Sequence, residues 1–471
     1  MQITKTDFIQ FLNCPKSLWL LKKDPDHYPH GEFSTFMQKL VREGYEVERF
    51  VQQFFESAGD RKVNFQAEFT TGDGLYARVD ALENMSDGTT ALYEIKSSTS
   101  VKTDAKHSHV KDACFQKICA ERAGQQIDRV FLVHLNGDYV RNGEIDPGAM
   151  LVFADITEAV EEVESQTSAE IDAALTFLVS EQGMGGCSCV EKTRANHCDA
   201  FGIFNPEVPT PSIYSLPRLR TNKIRDLRSM NVLGLDDVPG DFSLSENQRI
   251  VVESFQDGEP KVNEVAIRQF LSELSFPLYF FDYETFSSAV PLIDCTSPHK
   301  HFPVQYSLHI LGADGSIQHK EHLEREARLP DRLLERMKED IGTEGSLVSW
   351  HASFEKTQNR QMAALFPGEA DFLNGLNDRM VDLEDLFKTA YVDARFDGST
   401  SIKKVLPVLC PQLNYNDLDV QDGASAMESW KRMLDAAPEE ADNIAQSLLR
   451  YCERDTFAMV EIYRFLMGLI S

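Results

Sequence analysis

The chain has 471 residues and carries 75 Asp and Glu against 47 Lys and Arg, a formal net charge of −28. Its hydrophobic fraction of 42 % and aromatic fraction of 10 % exclude wholesale disorder. No run approaches the ~18 apolar residues needed to cross a bilayer, and the polar start shows no cleavage signal, so about three domains of a cytoplasmic protein are expected. The acidity argues at first against nucleic acid, because most binders carry a basic footprint. Net charge does not say where the charges sit, however.

The elements follow in chain order. Residues 6–21 read as a helix interrupted at Pro15, and residues 33–57 as a second helix. Strands are expected over 62–70, 75–83 and 90–97, with a turn at 84–88. A helix over 112–123, a strand over 129–135 and a long acidic helix over 154–178 complete a small α/β domain. Residues 187–217 are rich in Gly, Pro and Asn and are expected to be irregular. Between 217 and 231 the balance reverses, since Arg218, Arg220, Lys223, Arg225 and Arg228 face a single Asp226. Residues 244–274 look helical. A new α/β domain opens at 276, with strands over 278–281, 305–311 and 346–350 and helices through to 467.

Asp80 sits late in one strand, and Glu94 and Lys96, two apart in the next, share a face. Two carboxylates there can hold a hard cation such as Mg²⁺ or Mn²⁺, and Lys96 can orient water or stabilise charge on a phosphate. Taken alone, Glu-x-Lys fits a cross-strand ion pair equally well. An Asp followed 14 residues later by Glu-x-Lys resembles the PD-(D/E)XK nucleases. The RecB-like branch implies an ion-binding role for Glu48, four residues after Gly44, and a helical Gln motif at Gln116. Ala120 stands where that motif has an aromatic residue.

The nine cysteines are odd in number and unevenly spaced, so no disulfide framework is expected. Cys187, Cys189 and Cys198 cluster, and Cys14 stands far away. One Cys before the nuclease motifs and three after resembles the CRISPR-associated iron–sulfur exonucleases, which implies a [4Fe–4S] cluster on Cys14, Cys187, Cys189 and Cys198. The closing spacing, Cys-x-Cys-x₈-Cys, departs from that family and leaves Zn²⁺ open. His197 is a further candidate ligand.

Asp282 and Glu284 end an apolar strand, where unpaired carboxylates are costly unless they share a cation. Tyr451 and Asp455 are four apart and lie on one helix face. With His351 to Glu355 between them, these segments resemble the three motifs of DEDD exonucleases of the RNase H-like fold. The resemblance implies metal binding by Asp282, Glu284, Glu355 and Asp455, with Tyr451 positioning water. His351 and Glu355 replace the family's Asn and Asp, and Asp382 is a competing ligand. The second half also looks like a bacterial family of unknown function that places this exonuclease-like domain after a RecB-like one.

The expected organisation is therefore α/β throughout: a PD-(D/E)XK nuclease-like domain with its cysteines at 1–205, a basic helical linker at 206–275, and an RNase H-like DEDD domain at 276–471. The expected activity is metal-dependent cleavage of nucleic acid, DNA before RNA, with a RecB-like site and a 3′–5′ exonuclease-like site. Arg218, Arg220, Lys223, Arg225, Arg228, Lys403 and Lys404 are the expected phosphate contacts. The competing expectation is a nucleic-acid-binding or scaffold protein with one or both sites degenerate.

Overall fold

The computed structural model describes residues 2–31, 34–57, 59, 61–103, 108–180 and 185–471. Two compact units divide the chain, one made of residues 1–207 with 288–299 and the other of 208–287 with 300–471.

The first unit is built on one sheet in the order β1 (Lys62–Thr70), β2 (Tyr76–Asn84), β3 (Thr90–Ile95), β4 (Arg129–Leu135) and β5 (Leu151–Asp155). Neighbours are antiparallel except β3 and β4, which run parallel. Such a pair needs a crossover, and the helix His109–Arg122 supplies it. β3 is covered on both faces. Leu92 packs with Phe8, Phe115 and Val160 on one side. Tyr93 packs with Val51, Phe55, Val133 and Val290 on the other. Side chains alternate along a strand, so Glu94 falls on the Leu92 side in the most buried strand. The expected single N-terminal helix is two, Lys5–Asn13 and Pro15–Lys23. Pro15 cannot continue a helix but suits the first position of the next, and this leaves Cys14 extended between them. The expected helix over 154–178 divides into β5 and the helix Thr157–Val179. The helix expected over 33–57 runs Thr35–Ser57, and residue 33 lies outside the described residues.

The second unit holds β6 (Lys261–Val262), β7 (Leu278–Phe286), β8 (Phe302–Leu311), β9 (Ile317–Leu323), β10 (Ser346–Ser349), β11 (Met380–Asp382) and β12 (Tyr391–Val392). Its main sheet has the order β11-β10-β7-β8-β9, with β7, β8 and β9 antiparallel and β10 and β11 parallel to β7. β9 and β11 are not apparent in the sequence: β9 reads Ile-Gln-His-Lys-Glu-His-Leu and is a charged edge strand, and β11 has three residues. The segment 206–275 is not a free linker. Ile224, Leu227, Val252 and Ile267 are buried in its helices, and β6 pairs with β12 inside the same unit.

Candidate metal centres

β7 carries the densest group of carboxylates. Leu278, Phe280 and Phe281 are fully buried on it. At roughly 1.5–3 kcal/mol each, they offset the cost of placing half-buried Asp282 and Glu284 near its end. The β7–β8 register shifts between Glu284 and Thr285, a bulge of the kind that re-aims side chains at functional sites. Asp455 and buried Tyr451 come from one face of the helix Pro438–Leu469, and buried Glu355 from the first turn of the helix Ser353–Leu365. Tyr415 donates to Asp455 Oδ1 at 2.5 Å. Lys403 Nζ donates to the Tyr451 hydroxyl at 2.9 Å and to Gln421 O at 2.6 Å. The Cys452 thiol lies 3.7 Å from Asp282 Oδ2. Glu355 Oε2 is buried without a hydrogen-bond partner. No described cation forms an ion pair with any of the four carboxylates.

Burial, and then repulsion from Asp455, Glu284 and Glu355, pushes Asp282 well above the usual carboxylate range. Glu284 is pushed up in the same way by burial and Asp455. Burial raises Glu355 to about 8 and Asp455 to about 6. Raised carboxyls bind protons more tightly in the folded state, so their stabilising effect is complete below the unfolded value of about 4. It is lost as pH rises through about 6 for Asp455 and about 8 for Glu355. The thermal midpoint in chelator is therefore expected to fall between pH 4 and 8, and Mg²⁺ or Mn²⁺ at pH 8 to restore it. A flat metal-free profile, measured by scanning calorimetry, would contradict this arrangement.

Asp382 adds charge repulsion to Glu355. Its Oδ1 accepts the main-chain N–H groups of His351 at 3.0 Å and Glu384 at 3.1 Å. It thereby holds the turn in which His351 takes a left-handed φ of 63°. Tyr415, Lys403 as a partner of Tyr451, and Cys452 beside Asp282 are contributions that sequence reasoning missed. Only Cys452, inside the Tyr451–Asp455 motif, was marked by its position.

In the first unit, Asp80, Glu94, Lys96 and Gln116 do come together. Asp80 Oδ2 accepts the Ile95 N–H at 2.8 Å, just where the β2–β3 pairing ends. Glu94 Oε1 accepts from Lys96 at 2.8 Å and from Lys5 at 2.5 Å, and Gln116 donates to its other oxygen. Lys96 also pairs with Asp112 at 2.6 Å. Burial raises Asp80, with Glu94 adding repulsion, to about 7. Lys5 and Lys96 hold Glu94 down at about 2 against the opposing effect of burial. Glu48 is engaged elsewhere, accepting from Gln66 at 2.5 Å. Lys5 and Asp112 lie outside the motif spacing, so nothing in the sequence pointed to them.

Cys14, Cys187, Cys189 and Cys198 are all buried, and their sulfurs lie within 4.8 Å of one another. Cys187 and Cys198 Sγ are 3.9 Å apart. Asn205 Nδ2 donates to Cys187 Sγ at 3.4 Å. Hydrogen bonds among the thiols, from Cys14 first, lower Cys187 and hold Cys189 at about 7, and the same network raises Cys14 and Cys198. Four buried thiols in one cage can hold a metal, either a zinc ion or an iron–sulfur group. His197 instead stacks on Phe201 at 3.6 Å, with Nε2 3.2 Å from Lys192 O.

A cleft of about 970 Å³ within the second unit collects part of the basic segment. Arg218, Arg220 and Lys223 line it together with His351, Glu384 and Lys388. Arg225, on the helix Thr221–Ser229, and Lys404 are exposed away from its lining, and Arg228 is half-buried.

Among known proteins, a family model described as a domain of unknown function, DUF2779, matches residues 279–401. That stretch begins in β7 and ends beyond β12. The uncharacterized protein MG366 of Mycoplasma genitalium is 27 % identical over 41 % of this chain and 32 % of its own length. Its homologue in Mycoplasma pneumoniae is 30 % identical over the same shares. The chain thus matches about a third of the length of these relatives. The crystal structure of SSO0001 is similar at a TM-score of 0.24 and 14 % identity, over 39 % of this chain and 79 % of that one. No helix among the described residues is long and apolar enough to cross a membrane.

Proposed function

We propose that the protein is a metal-dependent nuclease whose principal site is the carboxylate group of the second unit. The observation that carries this is the convergence of Asp282, Glu284, Glu355 and Asp455 without a paired cation, at a bulged strand end. Oxygen-only donors suit Mg²⁺ or Mn²⁺, which in such a site activates water and offsets charge on the phosphate. The four carboxylates hold the metal. Tyr451, fixed by Lys403, orients the attacking water, and Lys403 supplies fixed positive charge beside the scissile phosphate. The central place of β7 between β8 and β10 supports the RNase H-like architecture that its motifs resemble. The cleft with Arg218, Arg220 and Lys223 supports a strand path confined to one basic groove on an acidic protein.

The first unit's strand and helix order supports the PD-(D/E)XK resemblance. Its site, however, is closed by its own cations: both oxygens of Glu94 are already bonded to Lys5, Lys96 and Gln116. That observation favours a strand-binding role there, with cleavage in the second unit. In the four-thiol cage a single tetrahedral ion fits best. Zn–S bonds of about 2.3 Å set sulfurs about 3.8 Å apart, close to the 3.9 Å between Cys187 and Cys198. A four-iron cluster places a separate iron on each thiolate and needs the cage to open.

The test is the full chain with Mg²⁺ or Mn²⁺ and end-labelled single- and double-stranded DNA and RNA. The wild type and Asp80→Ala are expected to shorten a strand from one end, and Asp282→Ala to leave it intact. Arg218→Ala and Arg220→Ala are expected to weaken binding and to lower the salt slope by about one each. Intact strands in every lane, with the wild type folded and metal-loaded, would end the proposal.

A further inference from the structure

We infer that His309, His319 and Glu453 form a separate divalent-metal site of the zinc type on the second unit. The β8–β9 register sets His309 directly opposite His319, so both side chains leave the same face of the sheet. The helix Pro438–Leu469 brings Glu453 to them, and one donor atom from each residue lies within 4.8 Å of the other two.

The ring nitrogens are already sorted into supporting and ligating positions. His309 Nδ1 is 2.8 Å from Thr456 Oγ1, and His319 Nε2 is 3.0 Å from Ser307 Oγ. Ser307 and Thr456 hydroxyls are themselves 2.7 Å apart. This leaves His309 Nε2 and His319 Nδ1 as the donors, the latter 3.8 Å from Glu453 Oε1. Anchoring one imidazole nitrogen so that the other is aimed is how metal-binding histidines are held. The rings face each other at 4.5 Å.

Two imidazoles with a carboxylate select a zinc-type ion over Mg²⁺. Bonds of about 2.0–2.1 Å place donors roughly 3.4 Å apart, so side-chain rotation of about 1 Å closes the site. Exposed Glu453 gives the ion a way in from solvent. Once bound, it ties edge strand β9 to the helix that carries Tyr451 and Asp455. The inference does not depend on nuclease activity.

The full chain, with saturating Mg²⁺ to fill oxygen-only sites, is titrated with Zn²⁺, and bound zinc is counted after gel filtration. The wild type is expected to hold one equivalent more than His319→Ala. Glu453→Gln is expected to weaken that equivalent by about tenfold or more and to abolish the zinc-dependent rise in thermal midpoint. Should His319→Ala fail to fold, Glu453→Gln at the exposed rim carries the test. Equal zinc content and affinity in the wild type and Glu453→Gln would overturn the inference.

Discussion

Asp282→Asn is expected to abolish strand degradation and, in the same preparation, to make the metal-free protein more stable. Asn has nearly the shape of Asp but no charge. It removes one of the negative charges that Asp455, Glu284 and Glu355 repel, at a position where burial already disfavours ionisation. Near pH 8 the gain is expected to be on the order of 1–2 kcal/mol, one pKa step being worth about 1.4 kcal/mol. The same change removes a ligand for the ion that stabilises the transition state. A loss of about 4 kcal/mol there corresponds to roughly a thousandfold in rate. Two measurements decide it: product ladders with Mg²⁺, and thermal midpoints with chelator at pH 8. Opposite movement of activity and stability is the mark of a site strained for function. A variant that is both less stable and equally active would show that Asp282 is only structural.

The second large effect is expected at the cysteine cage. Cys14→Ser removes a thiolate from a closed four-sulfur site that joins the break between two N-terminal helices to a stretch more than 170 residues later. Structural zinc sites contribute folding energy directly, about 10–16 kcal/mol in small zinc peptides. Loss of several kcal/mol is therefore expected, confined to the first unit, together with loss of the bound metal by elemental analysis. Cys295→Ser, at an exposed thiol outside the cage, is the control and is expected to change neither. A colourless, zinc-containing wild type fits the sulfur spacing. A brown protein that loses its colour in Cys14→Ser would place iron–sulfur in the same cage. Full metal content in Cys14→Ser would show that the cage does not need its fourth sulfur.

Local pattern accounts for the parts of the site that were legible. The apolar run before Asp282 and the two-residue step to Glu284 required a strand with both carboxylates on one face. The four-residue step from Tyr451 to Asp455 required one helix face, and Pro15 marked the break that leaves Cys14 extended. These inferences rest on periods of 2 and 3.6 and on proline's missing N–H, which are properties of short segments. Where the pattern is polar or brief the reading failed, as for the charged edge strand β9, three-residue β11, and β5 merged with the helix that follows it. Pattern also does not show a carboxylate's partners: Gln66 engages Glu48, and two main-chain N–H groups engage Asp382.

The sequence by itself determined which residues have the chemistry: the acidic pairs on strands, the Tyr and Asp on one helix face, and four cysteines separated from the rest. Tertiary structure alone decided which of them meet and in what state. Lys5 reaches Glu94 and closes the first site, whereas Lys403 turns to Tyr451 and acts on Glu284 and Asp455 of the second only through its field, without an ion pair. Cross-strand register alone set His309 against His319. The reason is physical. A side chain's chemistry is local, but its partners, and the burial that shifts its protonation, come from segments far away in the chain.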